Sequence, residues 1–292
     1  MSEHDEFHAG VPCWVDTLQP DPTSAVGFYA ELFGWEVENR TASDSPRKYF
    51  VCKLRDRAVA GVGSRPSEGV PSDWNTYVRV DSVEEAAAKA VESGGSVVLE
   101  PFDWLDGGRA AMLEDHAGAA LGVLEPGAHR GAQGVNELGA WAMSVLNTRD
   151  VEGSKRFYGT VFGWDTLTFD AGGRELTMWR LSGYVGGVPG QPVPRDVVAA
   201  MAPITGEGLP KGGFPGEGRV GPQPLLARAM EEAEPHWSVN FWVPDADAVA
   251  AKAADLGGMV VVPSYDAPGF RAAVVADTQG GALTVGQPTA RP

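Results

Sequence analysis

The chain has 292 residues, 43% of them hydrophobic and 21% charged, which reads as a globular protein and excludes a disordered or fibrous one. A formal net charge of −16 with no clustered basic stretch excludes nucleic acid as the expected partner, and suits a neutral or cationic ligand better than an anion. No apolar run approaches the ~18 residues of a membrane helix, the start lacks the pattern of a secretory signal, and Cys13 and Cys52 stand in no metal or redox spacing, so the expectation is a cytoplasmic protein with no membrane partner.

In chain order, "PCWVDTLQ" (12–19) reads as a strand. Asp21 or Thr23 can cap a helix over Ala25–Leu32 that stops at Gly34. Short strands follow at 35–40, 47–54 and 58–63. "NTYVRVD" (75–81) is a further strand, leading to a helix over Val83–Ser93 halted by Gly94-Gly95, then strands near 96–102, 109–114 and 119–124. That is the order βαβββ, βαβββ, within residues 9–126. A Gly-rich linker is expected at 127–136.

The same text then returns over 137–288. "FYAELFGW" (28–35) reappears as "FYGTVFGW" (157–164), an offset of 157 − 28 = 129. "DWNTYVRVDSVEEAAAKAVESGG" (73–95) matches "HWSVNFWVPDADAVAAKAADLGG" (236–258), an offset of 236 − 73 = 163. The collinear match establishes a duplication. The surplus of 163 − 129 = 34 residues falls at 186–224, where 18 of 39 residues are Gly or Pro. There "RDVVAAMA" is read as a short helix, and the segment as a lid in which Val197, Val198, Met201, Ile204, Leu209 and Phe214 cover the second copy's pocket. The expected fold class is α+β, with four βαβββ units in two domains.

Four such units, the repeated "FY…FGW" ending, "YVRVDSVEEAAAKA" and "EDHAGAALGVLEP" (114–126) resemble the vicinal oxygen chelate superfamily, which includes glyoxalase I, extradiol dioxygenases and the fosfomycin and bleomycin resistance proteins. The tandem glyoxalase-like subgroup is the nearest match. The resemblance implies curved mixed sheets that enclose clefts. In metal-using members it also implies ligands from the first strand, the start of the fifth and the last strand of a copy. Those positions hold Trp14, Asn75 and Gly122 in copy one and Met143, Ser238 and Thr284 in copy two. None is a customary ligand, so no metal and no other cofactor is expected. Asp16 shares a strand face with Trp14 and, with Asn75, is the one alternative for a weak hard cation.

Strand alternation assigns the ligand-facing side. In copy one it carries Trp14, Asp16, Asn75, Tyr77 and Arg79. In copy two it carries Met143, Ser238, Asn240 and Trp242, with Val145 and Asn147. Aromatic surface mixed with a few polar groups suits a small-molecule site. Phe28, Tyr29, Phe157 and Tyr158 lie at core spacing, and Arg109 and Arg271 read as a repeated structural ion pair. The resulting expectation is a metal-independent protein, monomer or homodimer, that binds an aromatic or largely apolar natural product or antibiotic. The alternative is a metal-independent isomerase, cyclase or hydrolase using Asp16 or His236 for proton transfer, and a metal-dependent lyase or dioxygenase comes third.

Overall fold

Asp21 accepts hydrogen bonds from the backbone N–H groups of Thr23 and Ser24, and Asp150 accepts one from Gly153. Each thereby starts the helix that opens its copy, and Gly34 and Gly163 end those helices in the left-handed region, at φ 74° in both cases. The computed structural model describes residues 7–42, 45–66, 72–170, 175–186, 195–204, 234–267 and 269–289. The first copy runs β1 (Pro12–Gln19), α1 (Pro22–Phe33), β2 (Glu36–Asn39), β3 (Tyr49–Leu54), β4 (Arg57–Ser64), β5 (Trp74–Arg79), α2 (Val83–Glu92), β6 (Ser96–Trp104), β7 (Gly108–Glu114) and β8 (Ala120–Glu125). The second runs β9 (Trp141–Thr148), α3 (Val151–Phe162), β10 (Trp164–Asp170), β11 (Glu175–Leu181), β12 (Val197–Pro203), β13 (His236–Trp242), α4 (Ala246–Asp255), β14 (Met259–Ala267), β15 (Phe270–Ala276) and β16 (Ala282–Pro288).

Each copy forms one eight-stranded mixed sheet, ordered β2-β3-β4-β1-β5-β8-β7-β6 and β10-β11-β12-β9-β13-β16-β15-β14. The fold is α+β with four βαβββ units. One element departs from the sequence reading. Residues 197–203 are a strand, β12, running parallel to β9 with Ala200 opposite Val145, not a helix. The first copy pairs Gly61 with Asp16 in the same way, so Ala200 is the counterpart of Gly61 at an offset of 200 − 61 = 139. Of the surplus 34 residues, 163 − 139 = 24 therefore follow β12. Leu209 and Phe214 lie outside the described residues.

The backs of the two sheets share the helices and the core. Thr76 on β5 and Ser144 on β9 meet hydroxyl to hydroxyl at 2.6 Å, α1 touches α4, and α2 touches α3. Both apolar clusters mix residues of the two copies. The repeated "FY…FGW" words supply crossed polar links through this layer. The Tyr29 hydroxyl donates to Asp277 Oδ2 at 2.7 Å, and the Tyr158 hydroxyl to Asp115 Oδ2 at 3.0 Å. The indoles of Trp74 and Trp237 donate to those same phenol oxygens at 3.0 and 2.9 Å. Trp35 donates to the Gly139 carbonyl at 2.7 Å and Trp164 to the Gly10 carbonyl at 2.6 Å. Both phenylalanines follow suit: a Cβ on Gly258 would strike the Phe28 ring, and one on Gly95 the Phe157 ring. Among the described residues no helix is long and apolar enough to cross a membrane.

Removing either hydroxyl takes a donor from a buried carboxylate oxygen and the acceptor from a buried indole, although Asp277 Oδ2 keeps Gln19 Nε2 at 3.0 Å. Tyr29→Phe and Tyr158→Phe are each expected to lower the unfolding free energy by about 2 kcal/mol, as measured by urea denaturation. A loss below about 0.5 kcal/mol in both would show that the crossed links are incidental.

Candidate functional site

On the side of each sheet away from the helices the two copies have diverged. In the first, Asp16 on β1 is 1% exposed and sits at the centre of a ring of donors. Asn75 on β5 donates to Oδ1 at 3.0 Å, while the hydroxyls of Tyr49 on β3 and Tyr77 on β5 donate to Oδ2 at 3.0 and 3.2 Å. The Trp14 indole donates to the Tyr49 oxygen at 3.0 Å. Glycines on the neighbouring strands make room for these rings. A Cβ on Gly61 or Gly63 would collide with Tyr49, and one on Gly122 with Tyr77.

Burial raises the Asp16 carboxyl to about 6, against the opposing pull of its Asn75, Tyr49 and Tyr77 hydrogen bonds. Trp104, at the end of β6, and His129 close the cluster from above. They stack on one another with centroids 5.1 Å apart and meet the Trp14 ring edge-on at 6.2 and 4.7 Å. Burial holds the His129 ring down to about 4. Its Nδ1 accepts from the Gly131 N–H at 3.4 Å, so the proton belongs on Nε2, which is buried and has no partner among the described residues. Residues 127–136 are thus part of this copy's structure: Ala132 N–H donates to the Cys13 carbonyl and Gln133 N–H to the Ala58 carbonyl. Arg79 turns aside to Asp81, at 2.8 Å, and lines a separate cavity of about 160 Å³ with Phe7 and Arg130.

The second copy replaces Trp14, Asp16, Asn75 and Tyr77 with Met143, Val145, Ser238 and Asn240. The pairing of β9, β13 and β16 aligns Met143, Asn240 and Thr284 in one row across the sheet. Val145 and Ser238 lie in the row on one side, and Trp242 and Gly286 in the row on the other. All but Gly286 are half-buried. Trp242 lies against Gly286, where a Cβ would meet its ring, and meets Phe270 edge-on at 5.8 Å. Ser238 is engaged by Asn147 at 3.2 Å. His236, the other proton-transfer candidate, is exposed at the start of β13, with Nδ1 2.8 Å from the Glu234 carbonyl. It stands on a different sheet from Asp16, so the two are not brought together. Arg109 and Arg271 form equivalent exposed ion pairs with Glu84 and Asp103, and with Asp247 and Asp266.

The family model described as a glyoxalase-like domain matches residues 14–124. CFP32 of Mycobacterium tuberculosis, named as a candidate glyoxylase, is 32% identical over 99% of this chain and 98% of its own length. The chain belongs to the glyoxalase-like family. It is also similar to the anthracycline biosynthesis protein DnrV of Streptomyces peucetius, at 28% identity over 96% of this chain and 94% of that one. Among solved structures, the 2,3-dioxygenase LapB of Pseudomonas sp. KL28 superposes with a TM-score of 0.57 at 12% identity, covering 97% and 94% of the two chains. The Mn(II)-bound glyoxalase of Novosphingobium aromaticivorans gives 0.54 at 13%, covering 96% and 82%. These two establish the shared fold.

The Novosphingobium aromaticivorans glyoxalase is Mn(II)-bound, and the residues here do not fit that role. Trp14, Gly122 and Met143 offer no hard donor, and Asn75, Ser238 and Thr284 offer only neutral oxygens. Asp16, the one carboxylate nearby, has both oxygens engaged by neutral donors. Among the described residues no three His, Cys, Asp or Glu side chains come together to hold an ion. The sequence reading placed Trp14, Asp16, Asn75 and Tyr77 on one face, and the structure brings them into contact; it missed Tyr49, Trp104, His129 and Phe270.

Asp16 also predicts a pH dependence. Its folded value of about 6 lies above the ordinary 3.8, so its stabilising contribution is complete below that ordinary value and is lost as the pH rises through about 6. Compared with Asp16→Asn, the wild type should lose on the order of 3 kcal/mol of unfolding free energy between about pH 4 and pH 7. Urea titrations across that range read it, and a difference that does not vary with pH would refute the assignment.

Proposed function

We propose that this is a cytoplasmic, metal-independent binding protein for a flat, largely apolar small molecule, held against the second copy's helix-free face. The observation that carries the reading is the contrast between the copies. Copy one's face is packed with its own rings, leaving Trp14 and Tyr77 no more than 1% exposed. The equivalent Met143 and Asn240, with Val145, Ser238, Trp242 and Thr284 around them, stay accessible. Met143, Val145 and Trp242 would supply apolar contact and stacking, and the neutral polar groups would orient the ligand. DnrV and the Streptomyces DauV are named as anthracycline biosynthesis proteins, which supports a polycyclic aromatic natural product as the occupant.

A second reading is favoured by the buried Asp16 carboxyl, which Asn75, Tyr49 and Tyr77 hold and burial raises to about 6. A group near neutrality suits general acid–base work, and a metal-independent enzyme would use it once the Trp104–His129 cover is displaced.

Titration of the protein with a dihydroxyanthraquinone, followed by tryptophan quenching, tests the first reading. One saturable site is expected, unchanged by EDTA and by Asp16→Asn. Val145→Arg, which places a charge in the row beside Met143 and Asn240, should weaken binding at least tenfold, and Trp242→Ala should reduce both affinity and quenching. Binding that survives both face variants but fails in Trp104→Ala would move the site to copy one. Product formation from the probe that Asp16→Asn abolishes would favour the enzyme.

A further inference from the structure

Asn240 and Thr284 stand opposite one another on the parallel strands β13 and β16, so their side chains project side by side from strands ~4.8 Å apart. Neither side chain makes a hydrogen bond among the described residues, although both are half-buried and Ser238, in the next row, is engaged by Asn147. Each group both donates and accepts: Asn through its NH₂ and carbonyl, Thr through its hydroxyl. The side chains in their own row and the two flanking it, Met143, Val145, Ser238, Ala200, Trp242, Ala272 and Val274, carry no charge. Arg180, two residues beyond Met178 on β11, is paired with Asp196 at 3.0 Å.

Such a surface is ill suited to a carboxylate or phosphate, which would need a free cation or a cluster of N–H donors. It is equally poor at holding a bare hydrocarbon, which would strip water from two polar side chains and return nothing. The chemistry that satisfies both groups is a neutral edge bearing adjacent oxygens, at least one a hydroxyl and one a carbonyl. The rest of the ligand must be flat and apolar, to lie between Trp242 and Met143.

We infer that Asn240 and Thr284 form the recognition pair for a hydroxyquinone-type edge, and that they select oxygenated polycycles over the parent hydrocarbon. This deepens the binding reading and rests on it. The pair reads oxygens on the ligand's rim, while Trp242 and Met143 hold its plane without regard to substitution.

The test compares a dihydroxyanthraquinone, anthraquinone and anthracene by tryptophan quenching on the full chain. Wild type should prefer the dihydroxyanthraquinone over anthracene by at least tenfold. The double variant Asn240→Leu, Thr284→Val keeps size and shape, and should bind anthracene at least as tightly as wild type while the preference falls to within about threefold, one hydrogen bond to a neutral group being worth roughly fivefold to tenfold. Thr284→Ser should keep the preference. A preference undiminished in the double variant overturns the pair, with binding itself intact. Absence of binding by all three probes, with circular dichroism unchanged, overturns instead the reading on which the pair rests.

Discussion

Two buried aspartates in tight turns, Asp115 and Asp277, hold this molecule in its arrangement. Each carboxylate turns one oxygen to its own turn, accepting from Ala117 and Ala119 or from Gln279 and Gly281. It turns the other to the tyrosine of the opposite copy's first helix. A buried carboxylate oxygen without donors is costly, and the second oxygen of each has its donors only when both copies are docked: Tyr158 for Asp115, Tyr29 and Gln19 for Asp277. Burial and the adjacent aspartate raise the Tyr29 and Tyr158 hydroxyls well above the usual phenol range, so these groups remain donors at every physiological pH. The "FY" of each repeat is therefore structural, and its recurrence reflects reciprocity.

With the backs of the sheets committed to one another, the opposite faces are left for function, and the two copies use theirs differently. The first spends its face on an internal network: a carboxylate held by two phenols and an amide, an indole behind one phenol, and a tryptophan–histidine cover. The second presents methionine, valine, asparagine and threonine at the same positions and remains accessible. Duplication usually leaves two similar sites. Here one face is closed on itself and the other is left accessible, through exchanges as small as Asp16 for Val145 and Tyr77 for Asn240.

Much of this was legible in the sequence, and what was not has physical reasons. The repeat gave the number of units, and period-two alternation in β1 and β5 placed Trp14, Asp16, Asn75 and Tyr77 on one face. Alternation does not say which strand lies beside which, so Tyr49 escaped notice: it reaches Asp16 because β4, with glycines at 61 and 63, separates β3 from β1. Those glycines, small residues alternating on one strand, were the available signal. His129 carried none, since a Gly-rich stretch reads as a tether whether or not it packs. β12 was misread because a short apolar run of Val, Ala and Met fits helix and strand alike. The vacant parallel position beside β9 decided it, a tertiary demand that local spacing does not carry.

The crossed bonding also changes what counts as a unit of descent in this chain. Tyr29 answers to residue 277 and Tyr158 to residue 115, so the partner of one repeat's helix lies in the other repeat's turn and not in its own. The halves began as copies, yet along their shared layer each has become the other's complement. The outward faces escape that bond, and there the two repeats no longer resemble each other.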